Sequence, residues 1–406
     1  MGEDGCQDGV VPLFGPAGAG ELRASRDQHQ DGETVSPARA DRSEVTSRGA
    51  PVGLLGDSEG VGSVARLSVD AVVHDRWPRR SPLGPALRAV SRGRVDLEAR
   101  AEAERRRVAR VLTAIKDPPA RVAVASAKGG VGKTTVSLAL ATVLGHHRSD
   151  RVVALEANPH HGTYRERLSS HLQHERTVED LLALIERSGH LAEIALPELH
   201  RYTTQVSLYE GVWRHPRPVS HFEIVAAPDP ARARLLGEGD YRRVLGLLSR
   251  HFDVILLDLG TGILEPATTW LMTCAADQVV VVSPPAFDGA RLAEETLGYL
   301  EKRRGREFTT TRCVVVIDAV DRRTSTDVGV LETHFAKRVR AVVRVRWDRS
   351  LAAGGPFEWE RLGAGCRLDF LQLAAEVASG FALGMAPEGG GRDPASQAPA
   401  AWGSSR

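Results

Sequence analysis

The sequence predicts an α/β domain built on a mainly parallel central sheet covered by helices on both faces. Three observations carry that expectation. From Arg121 onward, short β-branched and apolar runs alternate with stretches of helical period. The strand runs are continuously apolar instead of alternating, as strands buried on both faces must be. A glycine-rich loop, Ala127 to Thr135, joins the first of these strands directly to a helix.

Taken in order, residues 1–85 are rich in Gly, Asp, Ser, Arg and Pro, with apolar residues scattered at no period. Such a segment cannot bury enough apolar surface to offset its conformational entropy, so it is predicted to be a disordered low-complexity region. Residues 86–118 form a basic helical lead-in. Arg100, Arg105, Arg106, Arg107 and Arg110 make one face of it, read as solvated because charge runs usually are. The predicted strands are Val122 to Ala125, Val152 to Leu155, Phe222 to Ala226, Val254 to Leu257, Val279 to Val282, Val314 to Ile317 and Ala341 to Val345. Between them lie helices at Val136 to Leu144, Val178 to Arg187, Tyr241 to Ser249, Arg291 to Arg303 and Leu368 to Phe381. Thr177, with Asp180 three residues on, marks a helix start. Residues 119–384 are expected to form one domain, and 385–406 a Pro-, Ala- and Ser-rich disordered tail without amphipathic pattern.

Composition excludes several classes. A net charge of +1 over 406 residues does not announce a nucleic-acid partner. Cys6, Cys274, Cys313 and Cys366 fall in no zinc or redox spacing and read as small buried apolar residues. The N-terminus lacks a secretory pattern, and no apolar run approaches the ~20 residues of a membrane span, so the protein is read as cytoplasmic with no integral membrane segment. His146-His147 and His160-His161 read as surface residues, since neighbouring histidines diverge on a helix and no third ligand is suitably spaced. Trp213 and Trp270 read as packing residues.

The loop Ala127-Lys128-Gly129-Gly130-Val131-Gly132-Lys133-Thr134-Thr135 has the strand–loop–helix context of a phosphate-binding loop. Its glycines let backbone N–H groups turn inward around phosphate oxygens, the helix N-terminus adds partial positive charge, and Lys133 reaches the terminal phosphates. Thr134 offers its hydroxyl to Mg²⁺. Downstream, Asp258 ends the buried run Val254-Ile255-Leu256-Leu257 and is followed by Gly260, Thr261 and Gly262, small residues that let backbone approach the γ-phosphate. That pattern looks like a Walker B segment with Asp258 serving Mg²⁺, whereas Asp253 reads as a strand-entry residue. The sequence therefore reads as a P-loop NTPase that binds a nucleotide's phosphates with Mg²⁺, and the resemblance described next implies ATP as that nucleotide.

A second lysine, Lys128, near the start of the loop resembles the deviant Walker A signature K-G-G-x-G-K-T of the ParA/MinD family, matched here at every fixed position. In that family the early lysine crosses a dimer interface to the partner's nucleotide, so the resemblance implies an ATP-dependent homodimer. Glu156-Ala157-Asn158-Pro159 resembles the family's switch segment, which implies that Glu156 orients the attacking water. The family has aspartate there, and a placement error of ~1 Å costs of order a hundredfold in rate, so slow turnover is expected. Asp318 ends the strand that in the family finishes with an adenine-reading Asn. A carboxylate accepts from the adenine N6 amine but cannot donate to N7. Arg346-Trp347-Asp348 resembles, without its proline, the family's loop beside the base. The C-terminal amphipathic membrane helix of MinD-type proteins has no counterpart here.

Further segments narrow the likeness: Gly162-Thr163, Ser283-Pro284-Pro285, Asp288-Gly289-Ala290 and His334-Phe335-Ala336. Together with the loop and the two acidic strand ends, they resemble the actinobacterial MinD-like ATPases associated with type VII secretion, over about residues 105–383. The resemblance implies an ATPase of low turnover that acts as a nucleotide-dependent dimeric switch, regulatory or accessory to secretion, with a protein partner in the secretion apparatus. Two alternatives stand beside it: a ParA-like positioning ATPase that binds DNA non-specifically, the less favoured, and a nucleotide-binding scaffold with little turnover. The expected site comprises Lys128, Lys133 and Glu156 for catalysis. Gly129, Gly130, Val131, Gly132, Lys133, Thr134, Thr135, Gly260 and Asp318 are expected to hold the nucleotide, and Thr134 and Asp258 the metal.

Overall fold

The computed structural model describes residues 97–158, 162–168, 176–207, 221–227, 235–318 and 327–386. The 1–85 region, the first part of the lead-in, Pro159, His160, His161, Trp213 and the stretch after residue 386 lie outside the described residues.

The strands are β1 (Ala120–Ala125), β2 (Val152–Ala157), β3 (Thr204–Ser207), β4 (His221–Val225), β5 (Val254–Leu259), β6 (Gln278–Ser283), β7 (Cys313–Asp318) and β8 (Ala341–Val345). They form one sheet in the order β3-β4-β2-β5-β1-β6-β7-β8. All neighbours pair in parallel except β3, which is antiparallel to β4. The principal helices are α1 (Leu97–Val111), α2 (Lys133–His147), α3 (Val178–Ser188), α4 (Glu238–Leu248), α5 (Phe287–Arg304), α6 (Val328–Ala336) and α7 (Ala364–Ser379).

Strand side chains alternate between faces, so each apolar run feeds two cores. Val122, Val124, Ala154, Leu256, Val280, Val282 and Val316 pack with α2 and α7 on one face. Ala123, Ala125, Leu155, Leu257, Val281 and Ile317 pack with α3, α4 and α5 on the other. Helix α2 is buried from Thr135 through His146, as a helix apolar on all sides must be. Helix α3 starts with a reciprocal cap: the Thr177 hydroxyl accepts from the Glu179 backbone, and the Asp180 carboxylate accepts from the Thr177 N–H at 2.9 Å.

Several elements differ from the sequence reading. Strand β3 was not anticipated, because Thr-Gln-Val-Ser carries a single large apolar residue and belongs to a sheet edge. Helix α6 was also missed. Its start, Val-Gly-Val, is poor in helix propensity, and it is nucleated by the Asp327 carboxylate accepting from the Gly329 N–H at 2.9 Å. The arginines of α1 are not all solvated: Arg107 donates to Gln372 and Arg110 to Glu376, each at 2.6 Å, fastening α1 to α7. His146 is buried at 8% exposure, not on the surface, because α2 is enclosed to its last turn. Cys313 and Cys366 are buried, but Cys274 is exposed. Trp270 packs against the core with the Arg242 guanidinium 4.7 Å from its ring centroid. Among the described residues, no helix is long and apolar enough to cross a membrane.

Candidate nucleotide site

Parallel strands share a direction, so their C-terminal ends line one edge of the sheet, where α/β proteins place their ligands. Glu156 of β2 and Asp258 of β5 are direct register partners there, and Asp318 ends β7. The glycine-rich loop leaves β1 between them and enters α2. Gly130 and Gly132 adopt positive φ angles of 71° and 93°, which glycine reaches without steric cost. The space a Cβ of Gly130 would enter is open, and Gly129 and Gly130 are exposed. Val131, by contrast, turns its side chain into the core, anchoring the loop from beneath.

Lys133 bends back over the loop, donating to the Lys128 carbonyl at 3.4 Å. Burial lowers its pKa, against the opposing attraction of Asp258. The Asp258 carboxyl is pushed up to about 7, first by burial and next by the neighbouring Glu156, against a hydrogen bond from Thr134 and the charge of Lys133. Its Oδ1 is buried with no hydrogen-bond partner. A buried carboxylate oxygen without a donor is costly unless something electropositive meets it. The Thr134 hydroxyl hydrogen-bonds the same carboxylate, and Thr163 Oγ1 donates to Thr134 Oγ1 at 2.9 Å. One carboxylate and one or two hydroxyls, with phosphate oxygens and waters completing the shell, are a donor set that suits Mg²⁺. Asp258 and Thr134 therefore fit such a cation, which would draw the phosphates together and spread their developing charge.

Glu156 is 1% exposed, and both its oxygens are occupied. Oε1 accepts from the backbone N–H groups of Thr163 and Tyr164, the latter at 3.0 Å, and Oε2 accepts from that of Ala227 at 3.0 Å. Burial raises its pKa, and these backbone hydrogen bonds oppose the rise. Asp318 is 5% exposed and lies against Gly132, where an added Cβ would come 2.1 Å from Oδ2. Burial alone pushes its carboxyl up to about 7.

Lys128 is half-buried and forms an ion pair with Asp288, at the start of α5, whose carboxyl it holds below the ordinary range. Gly260 is buried in the turn after β5, and Thr135 is buried at the start of α2. Arg346 is drawn away into a two-pronged pair with Asp369, at 2.6 and 2.9 Å, and the Asp348 carboxylate accepts from the Ser350 and Gly363 N–H groups. Thr163 is the residue that the assigned site omitted. Its one signal in the sequence is its place in the segment after Glu156, since its hydroxyl partner Thr134 lies 29 residues upstream.

Fold and loop together define a P-loop α/β domain. The profile of the CobQ/CobB/MinD/ParA nucleotide binding domain matches residues 122–338, and the chain belongs to that family. It is 30% identical over 264 residues to the ESX-1 secretion-associated protein EspI of Mycobacterium tuberculosis, in both strain CDC 1551 / Oshkosh and strain H37Rv. The match covers 64% of this chain but only 36% of each of those proteins. Among solved structures, the cell division ATPase MinD of Pyrococcus furiosus aligns at 18% identity with a TM-score of 0.46, covering 64% of this chain and 98% of that one. A ParA family ATPase from Chlorobium tepidum aligns at 16% identity with a TM-score of 0.46, covering 64% and 96%.

Proposed function

We propose that residues 119–384 bind ATP with Mg²⁺, hydrolyse it slowly, and act in the cytoplasm as a nucleotide-dependent dimeric switch, regulatory or accessory to type VII secretion. The observation that carries the nucleotide reading is the orphaned Asp258 Oδ1 beside the Thr134 hydroxyl and Lys133, under an open glycine loop. Lys133 and the loop N–H groups of residues 129–135 hold the phosphates. Asp318, which ends β7 against Gly132, is the residue assigned to the base. Lys128, half-buried and paired with Asp288 in the single chain, is the residue assigned to reach the partner's nucleotide. The secretion assignment is supported by the likeness to EspI and by the segments flanking the site.

Light scattering with a non-hydrolysable ATP analogue and Mg²⁺ tests the switch. Wild type doubles in mass, Lys128→Ala binds nucleotide but stays single, and Lys133→Ala does neither. Failure of wild type to double removes the switch. A second reading, binding with little turnover, is favoured by the occupied oxygens of Glu156. Phosphate release no faster than in Lys133→Ala, with ATP still bound, selects it.

A further inference from the structure

We infer that Glu156 is a positioning residue: it clamps the Thr163 hydroxyl onto Thr134, making Thr163 a second hydroxyl contact for the cation. The inference rests on the nucleotide reading of the same site. A carboxylate that orients a water needs a free oxygen facing that water. Glu156 faces no such water: it is 1% exposed, Oε1 takes the Thr163 and Tyr164 N–H groups, and Oε2 is turned to the Ala227 N–H. These bonds hold three separated pieces of chain together: the end of β2, the segment at Thr163 and the turn after β4. The room for the longer side chain is made by Gly162, where a Cβ would stand 2.7 Å from Glu156 Oε2 and 2.6 Å from the Ala227 Cβ.

The clamp has one chemical output. Next to the clamped N–H, the Thr163 hydroxyl lies 2.9 Å from Thr134 Oγ1, and Thr134 in turn hydrogen-bonds Asp258. The following residue is pinned as well, with the Tyr164 hydroxyl 2.8 Å from Ser137 Oγ on α2. Thr163 thus adds a hydroxyl next to the one on Thr134 that hydrogen-bonds Asp258, whose Oδ1 is unpartnered. Mg²⁺ demands several oxygens at near-ideal geometry, so a hydroxyl held this way contributes through its orientation.

The test is the Mg²⁺ dependence of nucleotide affinity, read with a fluorescent ATP analogue in full-length protein. Thr163→Val keeps the backbone N–H groups and the shape but removes the hydroxyl. It raises the Mg²⁺ midpoint about tenfold, within the 10–100-fold range of lost outer-shell support, and leaves affinity in EDTA unchanged. Thr163→Ser restores the midpoint. Glu156→Gln presents an amide N–H to a backbone donor, so it raises the midpoint similarly, and the double variant adds nothing further. A Thr163→Val midpoint within about twofold of wild type overturns the inference, as does a Glu156→Gln protein that loses phosphate release at an unchanged midpoint. Absence of nucleotide binding by wild type, with or without Mg²⁺, defeats the nucleotide reading itself.

Discussion

Replacing Asp318 by Asn changes one atom and removes a buried ionisable group. Asp318 is 5% exposed, and burial pushes its carboxyl from 3.8 up to about 7. The folded protein therefore holds that proton more tightly than the unfolded chain does. Stability from this group is fully present below pH ~4 and is lost as pH rises toward ~7. Each pH unit in that window costs about 1.4 kcal/mol, so ionising Asp318 in place costs on the order of 4 kcal/mol at alkaline pH. Between about pH 5 and pH 8, roughly two units of the window are crossed, and Asp318→Asn should gain about 3 kcal/mol on wild type. Glu156, Asp258 and Asp277 are also raised by burial, so both proteins weaken with rising pH, and only the gap between them reports Asp318. Urea denaturation of nucleotide-free protein at several pH values measures that gap, with matched m-values as the control. A gap that stays constant with pH refutes the assignment, as does an Asn variant less stable than wild type at pH 8.

Two further substitutions probe the same framework. Gly132→Ala forces a side chain onto a φ of 93° and drives a Cβ to 2.1 Å from Asp318 Oδ2. Left-handed strain of about 1–2 kcal/mol and overpacking of about 1–3 kcal/mol should together lower unfolding stability by about 2–5 kcal/mol, and adding Asp318→Ala should restore the packing share. Thr177→Ala removes the hydroxyl that caps α3 and should cost about 1 kcal/mol in urea denaturation, with nucleotide affinity unaltered.

The strong local patterns were legible because their physics is local. Unbroken apolar runs such as Val279 to Val282 announce strands covered on both faces, and Thr177 with Asp180 announces a cap whose partners lie three residues apart. Strand β3 and helix α6 were not legible. One exists because β4 offers a free edge, the other because a single carboxylate starts it.

The sequence alone determined the α/β class and the loop at the end of β1, since glycine spacing and apolar period are properties of neighbouring residues. It also located the acids Glu156, Asp258 and Asp318 at strand ends. What each acid meets was decided by tertiary structure. Glu156 receives three backbone N–H groups, two from Thr163 and Tyr164 just downstream and one from Ala227, 71 residues on; Asp258 keeps one oxygen bare, and Asp318 is pressed on Gly132 without a counter-charge. Lys128 finds Asp288, 160 residues away, only because β6 lies beside β1. A carboxylate's chemistry is set by its donors and its burial, and both are supplied by chain segments brought together only in the fold.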